Sequence, residues 1–218
     1  MNDWWMLQHF GVAVGAVTGV LAARGKHVDL FGVIVLALVT AFGGGTIRDC
    51  TLGDFPVFWI KAPHYIYTAV GSALITFFTA RRHEVPLGVL QVADAFVLAF
   101  FTIVGLVKAL SLGAAPVIAL IMGVVTGVAG GILRDLLLNE IPLVFRPDIY
   151  LYATAAFFGG IVYLILLHWG VDVQVNMFIS LGVVLALRLA GIRWCLSLPV
   201  FTPPQTDVSA KSILPPPP

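Results

Sequence analysis

Seven apolar stretches, each close to the length needed to cross a lipid bilayer, dominate this chain. They run roughly over residues 6–23, 28–47, 63–80, 88–107, 115–138, 149–167 and 174–192. A hydrocarbon layer about 30 Å thick takes about 20 helical residues. Lipid offers no hydrogen bonds, so each stretch must satisfy its own backbone as a helix. A transmembrane barrel would alternate apolar and polar residues, and these stretches do not. Charge is scarce to match: 11% of the 218 residues are charged and 60% are hydrophobic, with a mean hydropathy of +1.01. A water-soluble domain carries about twice that charge. The expected fold class is therefore an all-α membrane protein of seven transmembrane helices.

Polar or turn-forming segments separate the stretches: RGKHVD at 24–29, LGDFPVFWIKAP at 52–63, RRHEVP at 81–86, SLGAAP at 111–116, NEIPLVFRPD at 139–148 and HWGVD at 168–172. The first ten residues lack a basic region, so the first apolar stretch is expected to stay as a helix rather than be cleaved as a signal. With the N-terminus outside, the inner loops hold Arg24, Lys26, Arg81, Arg82 and Arg146, followed by Arg193 and Lys211, whereas the outer loops hold mainly Lys61. Basic loops stay in the cytoplasm, which predicts an N-outside, C-cytoplasmic protein of the inner membrane. Residues 197–218 are rich in proline and are expected to be a disordered tail.

Several function classes are excluded. The net charge of +1 and the lack of a basic cluster argue against a nucleic-acid partner. Two cysteines, Cys50 and Cys195, make no disulfide scaffold and no metal-binding spacing. No nucleophile elbow or zinc-protease motif occurs, so no enzyme is expected. His9, His27, His64, His83 and His168, and Trp4, Trp5, Trp59, Trp169 and Trp194, fall at the expected span ends and read as interfacial.

The chain repeats itself. GGTIRDCTLGDFP at 44–56 matches GGILRDLLLNEIP at 130–142 at an offset of 86 residues, and Gly19 matches Gly105 at the same offset. One residue drops out after the proline, which sets Tyr65 and Tyr67 against Tyr150 and Tyr152. Each copy holds three spans, an odd number, so the second copy is turned over in the membrane: an inverted repeat. The expected units are 1–86, 87–170, a seventh helix at 171–196, and the tail.

Candidate functional residues follow from the repeat. Gly43, Gly44 and Gly45 in the second span, and Gly130 and Gly131 in the fifth, can kink or unwind a helix and expose carbonyls to a path, or simply allow close packing. Gly11, Gly15 and Gly19 read as packing. Arg48 with Asp49, and Arg134 with Asp135, are either a charged constriction on an ion path or interfacial anchors. Asp94 and Lys108 are fourteen residues apart, close to four turns, and share a face of the fourth span. The topology brings Asp94 to the level of Arg134, where it either contacts that arginine or stays as a charge in the headgroup region. No metal site and no cofactor are expected.

At these motifs the sequence resembles the prokaryotic trimeric intracellular cation (TRIC) channels. GGGTIRDCTLGDFP, DAFVLAFFTIVG at 94–105 and GGILRDLLLNEIPLVFR carry the resemblance, which spans about residues 6–192. It implies two inverted three-helix repeats plus one helix, assembled as a homotrimer in membrane lipid. Each protomer would carry a pore for monovalent cations such as potassium or sodium, lined by the glycine sites at 43–45 and 130–131. The repeated domain is also associated with uptake of small amino acids such as glycine, which leaves a secondary transporter as the alternative. A structural membrane scaffold is a third reading.

Overall fold

The computed structural model describes residues 2–82, 86, 88–146 and 151–194, with side chains from Met6 onward. Trp4, Trp5, His83, Tyr150, Cys195 and the proline-rich tail lie outside this description.

Among the described residues the chain is helical throughout: α1 (Asn2–Ala22), α2 (Leu30–Leu52), a four-residue α3 (Phe58–Lys61), α4 (His64–Arg82), α5 (Gly88–Ser111), α6 (Pro116–Leu137), a 3-10 turn (Leu143–Phe145), α7 (Tyr152–His168) and α8 (Val173–Trp194). Local signals set the ends. Asp29 accepts a hydrogen bond from the Gly32 amide at 2.8 Å and caps α2. Gly53, at φ 71°, closes the same helix in the left-handed conformation. Pro116 opens α6, where its missing amide costs no hydrogen bond. The expected second span stops at residue 47, but α2 continues to Leu52 and carries Arg48 and Asp49 inside its last two turns.

Of these helices, α2, α5, α6 and α8 are long and apolar enough to cross a membrane. Phe31, Ile75 and Phe178 point outward and are well exposed, as lipid-facing side chains are. Inside, α1, α2 and α4 pack with one side of α5 around Val12, Leu36, Ala69 and Phe100. The other side of α5 packs with α6, α7 and α8 around Leu98, Leu106, Ala156 and Val184.

The helices meet through small residues. At the crossing of α2 and α6, a Cβ on Gly44 would run into the Thr126 carbonyl, and one on Gly130 into the Thr40 carbonyl. Gly44 and Gly130 are repeat partners, as are Thr40 and Thr126. The crossing is therefore antiparallel and self-complementary, with a local pseudo-twofold axis between the two helices. The glycines do not interrupt their helices: α2 is unbroken through Gly43–Gly45 and α6 through Gly130–Gly131. Thr40 and Thr126 hydroxyls satisfy carbonyls one turn back, at 2.6 and 2.5 Å, so the crossing is closed by packing rather than by freed carbonyls. In α1, Gly15 and Gly19 approach the α2 backbone at Ala41 and Ala37, which is the packing role expected of that run.

Candidate functional site

Each repeat builds the same charged corner. Arg48 Nε donates to Asp49 Oδ1 at 2.8 Å, and Arg134 Nε donates to Asp135 Oδ1 at 2.8 Å. Adjacent positions on a helix point about 100° apart, and the sequence left open whether neighbours in each pair meet; the long guanidinium stem folds back and they do. The second oxygen of each aspartate reaches across the following turn. Asp49 Oδ2 accepts from the Phe58 amide at 2.8 Å, and Asp135 Oδ2 accepts from the Leu143 amide at 2.9 Å. Each aspartate thus satisfies the leading amide of the short helix after its proline, which the sequence did not suggest. Main chains match too: Asp54 N donates to Asp49 O and Glu140 N to Asp135 O, both at 2.9 Å.

The two corners lie at opposite ends of α5. Lys108, in its last turn, bonds Asp49 Oδ1 at 2.7 Å and Asp54 Oδ2 at 2.7 Å. Asp94, near its start, accepts from Arg134 Nη1 at 3.0 Å, one of the two placements that spacing and topology allow. Lys26, in the α1–α2 loop, pairs with Glu140 as Lys108 pairs with Asp54. Asp54 lies outside the helices, where Lys108 and Lys61 hydrogen-bond its carboxylate and pull its pKa from 3.8 down to about 2. Lys26 likewise holds Glu140 below the usual carboxylate range.

Beside the Arg48 corner lies a cavity of about 330 Å³ between α1, α2, α4 and α5. Gln8, Gly45, Arg48, Tyr65, Val104 and Lys108 are among its lining residues. The Tyr65 hydroxyl donates to Gln8 Oε1, and the Arg48 guanidinium stands 5.8 Å from the Phe58 ring centroid. Gly43 and Gly44 do not line this cavity; Gly43 borders a separate apolar groove with Leu38, Trp59 and Leu133.

At the other corner the arginine and its aspartates are buried. Arg134 is 0% exposed and Asp94 2%. Tyr152 interacts with Asp94, and Arg188 from α8 lies over the Tyr152 ring at 4.7 Å. Tyr152 therefore stands to Asp94 as Tyr65 stands to Gln8. The sequence match of Tyr65 with Tyr150 is corrected: the structural partner of Tyr65 is Tyr152, because the second copy gains length before α7. Arg188 and Gln8 were not singled out from the sequence, and Tyr65 and Tyr152 stood there only as residues of the repeat. An arginine inside the apolar run 174–192 was a sufficient signal for Arg188, since charge within a span marks function. His9 has a second role besides marking a span end. It sits within α1, bonds Thr68 at 2.6 Å and packs on His64 at 5.0 Å between ring centroids. Trp59 turns inward, stacking on Phe42 and donating to Thr46.

A solved TRIC orthologue from Rhodobacter sphaeroides superposes with a TM-score of 0.84 at 39% identity, over 90% of this chain and 100% of that one. The chain belongs to the TRIC family. A second TRIC cation channel structure aligns with a TM-score of 0.82 at 32% identity, covering 92% of this chain and 98% of the other. A family model described as glycine transporter matches residues 5–81 and 91–168 of this chain. The UPF0126 inner membrane protein YadS of Escherichia coli is 44% identical over 203 residues, 92% of this chain and 97% of its own. A UPF0126 membrane protein of Vibrio cholerae is 45% identical over 198 residues, 90% of this chain and 82% of its own. These likenesses and the apolar helices make it an integral membrane protein of a channel family, with no enzyme among the relatives of solved structure.

Proposed function

We propose that this protein is a homotrimeric channel for monovalent cations, potassium among them, with one path in each protomer between two inverted three-helix repeats. Its N-terminus faces outward and its C-terminus the cytoplasm, so the Arg48 corner lies toward the outer face and the Arg134 corner toward the inner face. The observation that carries the reading is the cavity that leads to Gly45, Arg48 and Lys108 beside the antiparallel crossing of α2 and α6. The crossing itself is closed by packing, so the path runs beside it, where Gln8 and Tyr65 bring side-chain oxygens to the cavity wall, the kind of group that replaces a cation's water. Arg48 and Lys108 oppose a cation through like charge, and both are held back by Asp49. The far end is buried around Arg134 and Asp94, which in this reading corresponds to a closed conformation. The solved relatives described as cation channels support the reading.

The family model's glycine-transporter description favours a second reading, in which Arg48 receives an amino-acid carboxylate within the cavity. Planar-bilayer recording of pure protein, with and without glycine, decides between them. Unitary potassium currents that glycine does not alter support the channel. Saturable glycine uptake without unitary steps replaces it, and neither signal leaves a scaffold. Arg134→Ala is expected to change the fraction of time the channel is open.

A further inference from the structure

The open cavity has a shut counterpart. Four of its lining residues, Gln8, Gly45, Arg48 and Tyr65, correspond by the repeat to Asp94, Gly131, Arg134 and Tyr152. These four also converge. A Cβ on Gly131 would sit 3.4 Å from the Tyr152 hydroxyl, 3.6 Å from Arg134 Nη2 and 3.7 Å from Asp94 Oδ1. The set is in place but sealed from solvent, since Asp94, Arg134 and Tyr152 are all buried. Two of its buried polar atoms, Asp94 Oδ2 and Arg134 Nη2, have no hydrogen-bond partner. Buried groups of that kind are stable only when water or another polar group reaches them. This end is therefore sealed from bulk solvent yet built from groups that favour water.

One difference in chemistry separates the two ends. Where the first repeat has the neutral Gln8, the second has Asp94, and only the charged residue forms an ion pair across to the arginine. Gln8 instead bonds Tyr65 and leaves Arg48 to Asp49 and the cavity. We propose that Asp94, Gly131, Arg134 and Tyr152 form a second vestibule of the path, opening toward the inner face, and that the Asp94–Arg134 ion pair latches it shut. Removing the carboxylate leaves Asp135, among the described residues, as the only carboxylate on Arg134 in a cluster that also holds Arg188, so net positive charge stays buried, and such a charge must be hydrated. Water then enters, and the second repeat adopts the arrangement of the first. The inference presupposes the path described above but does not require that it carry current.

Thiol labelling reads the two vestibules without any current. Val104 lines the open cavity, and its repeat partner Thr18 is 0% exposed. In a background with Cys50→Ala and Cys195→Ala, Val104→Cys is expected to react with a charged methanethiosulfonate reagent and Thr18→Cys to resist it. Adding Asp94→Gln is expected to raise the Thr18→Cys rate at least about tenfold, as exposure governs thiol reactivity. The reciprocal change, Gln8→Asp, is expected to pair with Arg48 and slow Val104→Cys by a similar factor. A folded Asp94→Gln protein whose Thr18→Cys stays unreactive overturns the latch. If Asp94→Gln does not fold, Gln8→Asp decides alone, and an unchanged Val104→Cys rate overturns the proposal. Labelling that responds as described in a protein without unitary currents keeps the latch and discards the channel.

Discussion

The Arg48 and Arg134 corners repeat one sequence motif and one hydrogen-bond pattern, yet one borders a cavity and the other is sealed. Their aspartates hold the same partners: the preceding arginine and the amide of the next short helix. The difference lies in what other helices bring. α5 delivers Asp94 to one corner and Lys108 to the other. α8, which has no copy in the first repeat, lays Arg188 over Tyr152 at the second corner alone. Local motif sets the pairing, and the neighbouring helices set the solvation. Identical arginines can therefore differ in the energy at stake.

The largest contrast should appear on truncating the arginines. Arg134→Ala strands Asp94 and Asp135 in a buried site, and loss of one partner of a buried ion pair costs about 3–5 kcal/mol. Arg48→Ala leaves Asp49 with Lys108 beside a cavity that water can enter, so its loss should be clearly smaller. Thermal unfolding in detergent compares the two, and equal losses would break the distinction. Adjacent glycines sharpen it next. Gly130→Ala drives a methyl into the Thr40 carbonyl and should destabilise by about 1–3 kcal/mol, as overpacking does. Gly131→Ala meets only ordinary contacts, the nearest at 3.4 Å, and should unfold near the wild-type temperature.

Lys108→Met follows. It removes the tie from α5 to Asp49 and Asp54 but leaves Asp49 bonded to Arg48, so a loss of about 1 kcal/mol is expected, in the range of a partly exposed charge pair. Acid titration should give the smallest effect. The folded pKa of Asp54 is depressed from 3.8 to about 2, so its contribution is complete above the ordinary value and disappears as pH falls through that interval. Between pH 3.8 and about 2 wild type should lose slightly more stability than Asp54→Asn. Parallel curves for the two proteins would remove Asp54 from the account.

Much of this was legible before any coordinates. Arg48, Asp49, Arg134 and Asp135 stood out because the motif recurs at a fixed offset, and helical spacing plus topology put Asp94 at the level of Arg134. Tyr152 was set against the wrong partner because loop length is free to vary between copies, whereas helix register is not. Gly43–Gly45 and Gly130–Gly131 were open to two readings, a break in the helix or close packing, and the structure shows packing in unbroken helices. A glycine costs only about 1 kcal/mol in a helix relative to alanine, and close packing at Thr126 and Thr40 keeps the helices whole.

Apolar length, loop charge and the internal repeat are properties of the chain read in order. By themselves they set the helices, the membrane environment and the charged residues that must find partners within it. Which partners those are, and which corner stays wet, depends on residues far apart in sequence: Gln8 with Tyr65, Asp94 with Arg134, Arg188 with Tyr152. Only packing brings them together, because hydration of a buried charge depends on everything that crowds it and not on the motif that supplies it.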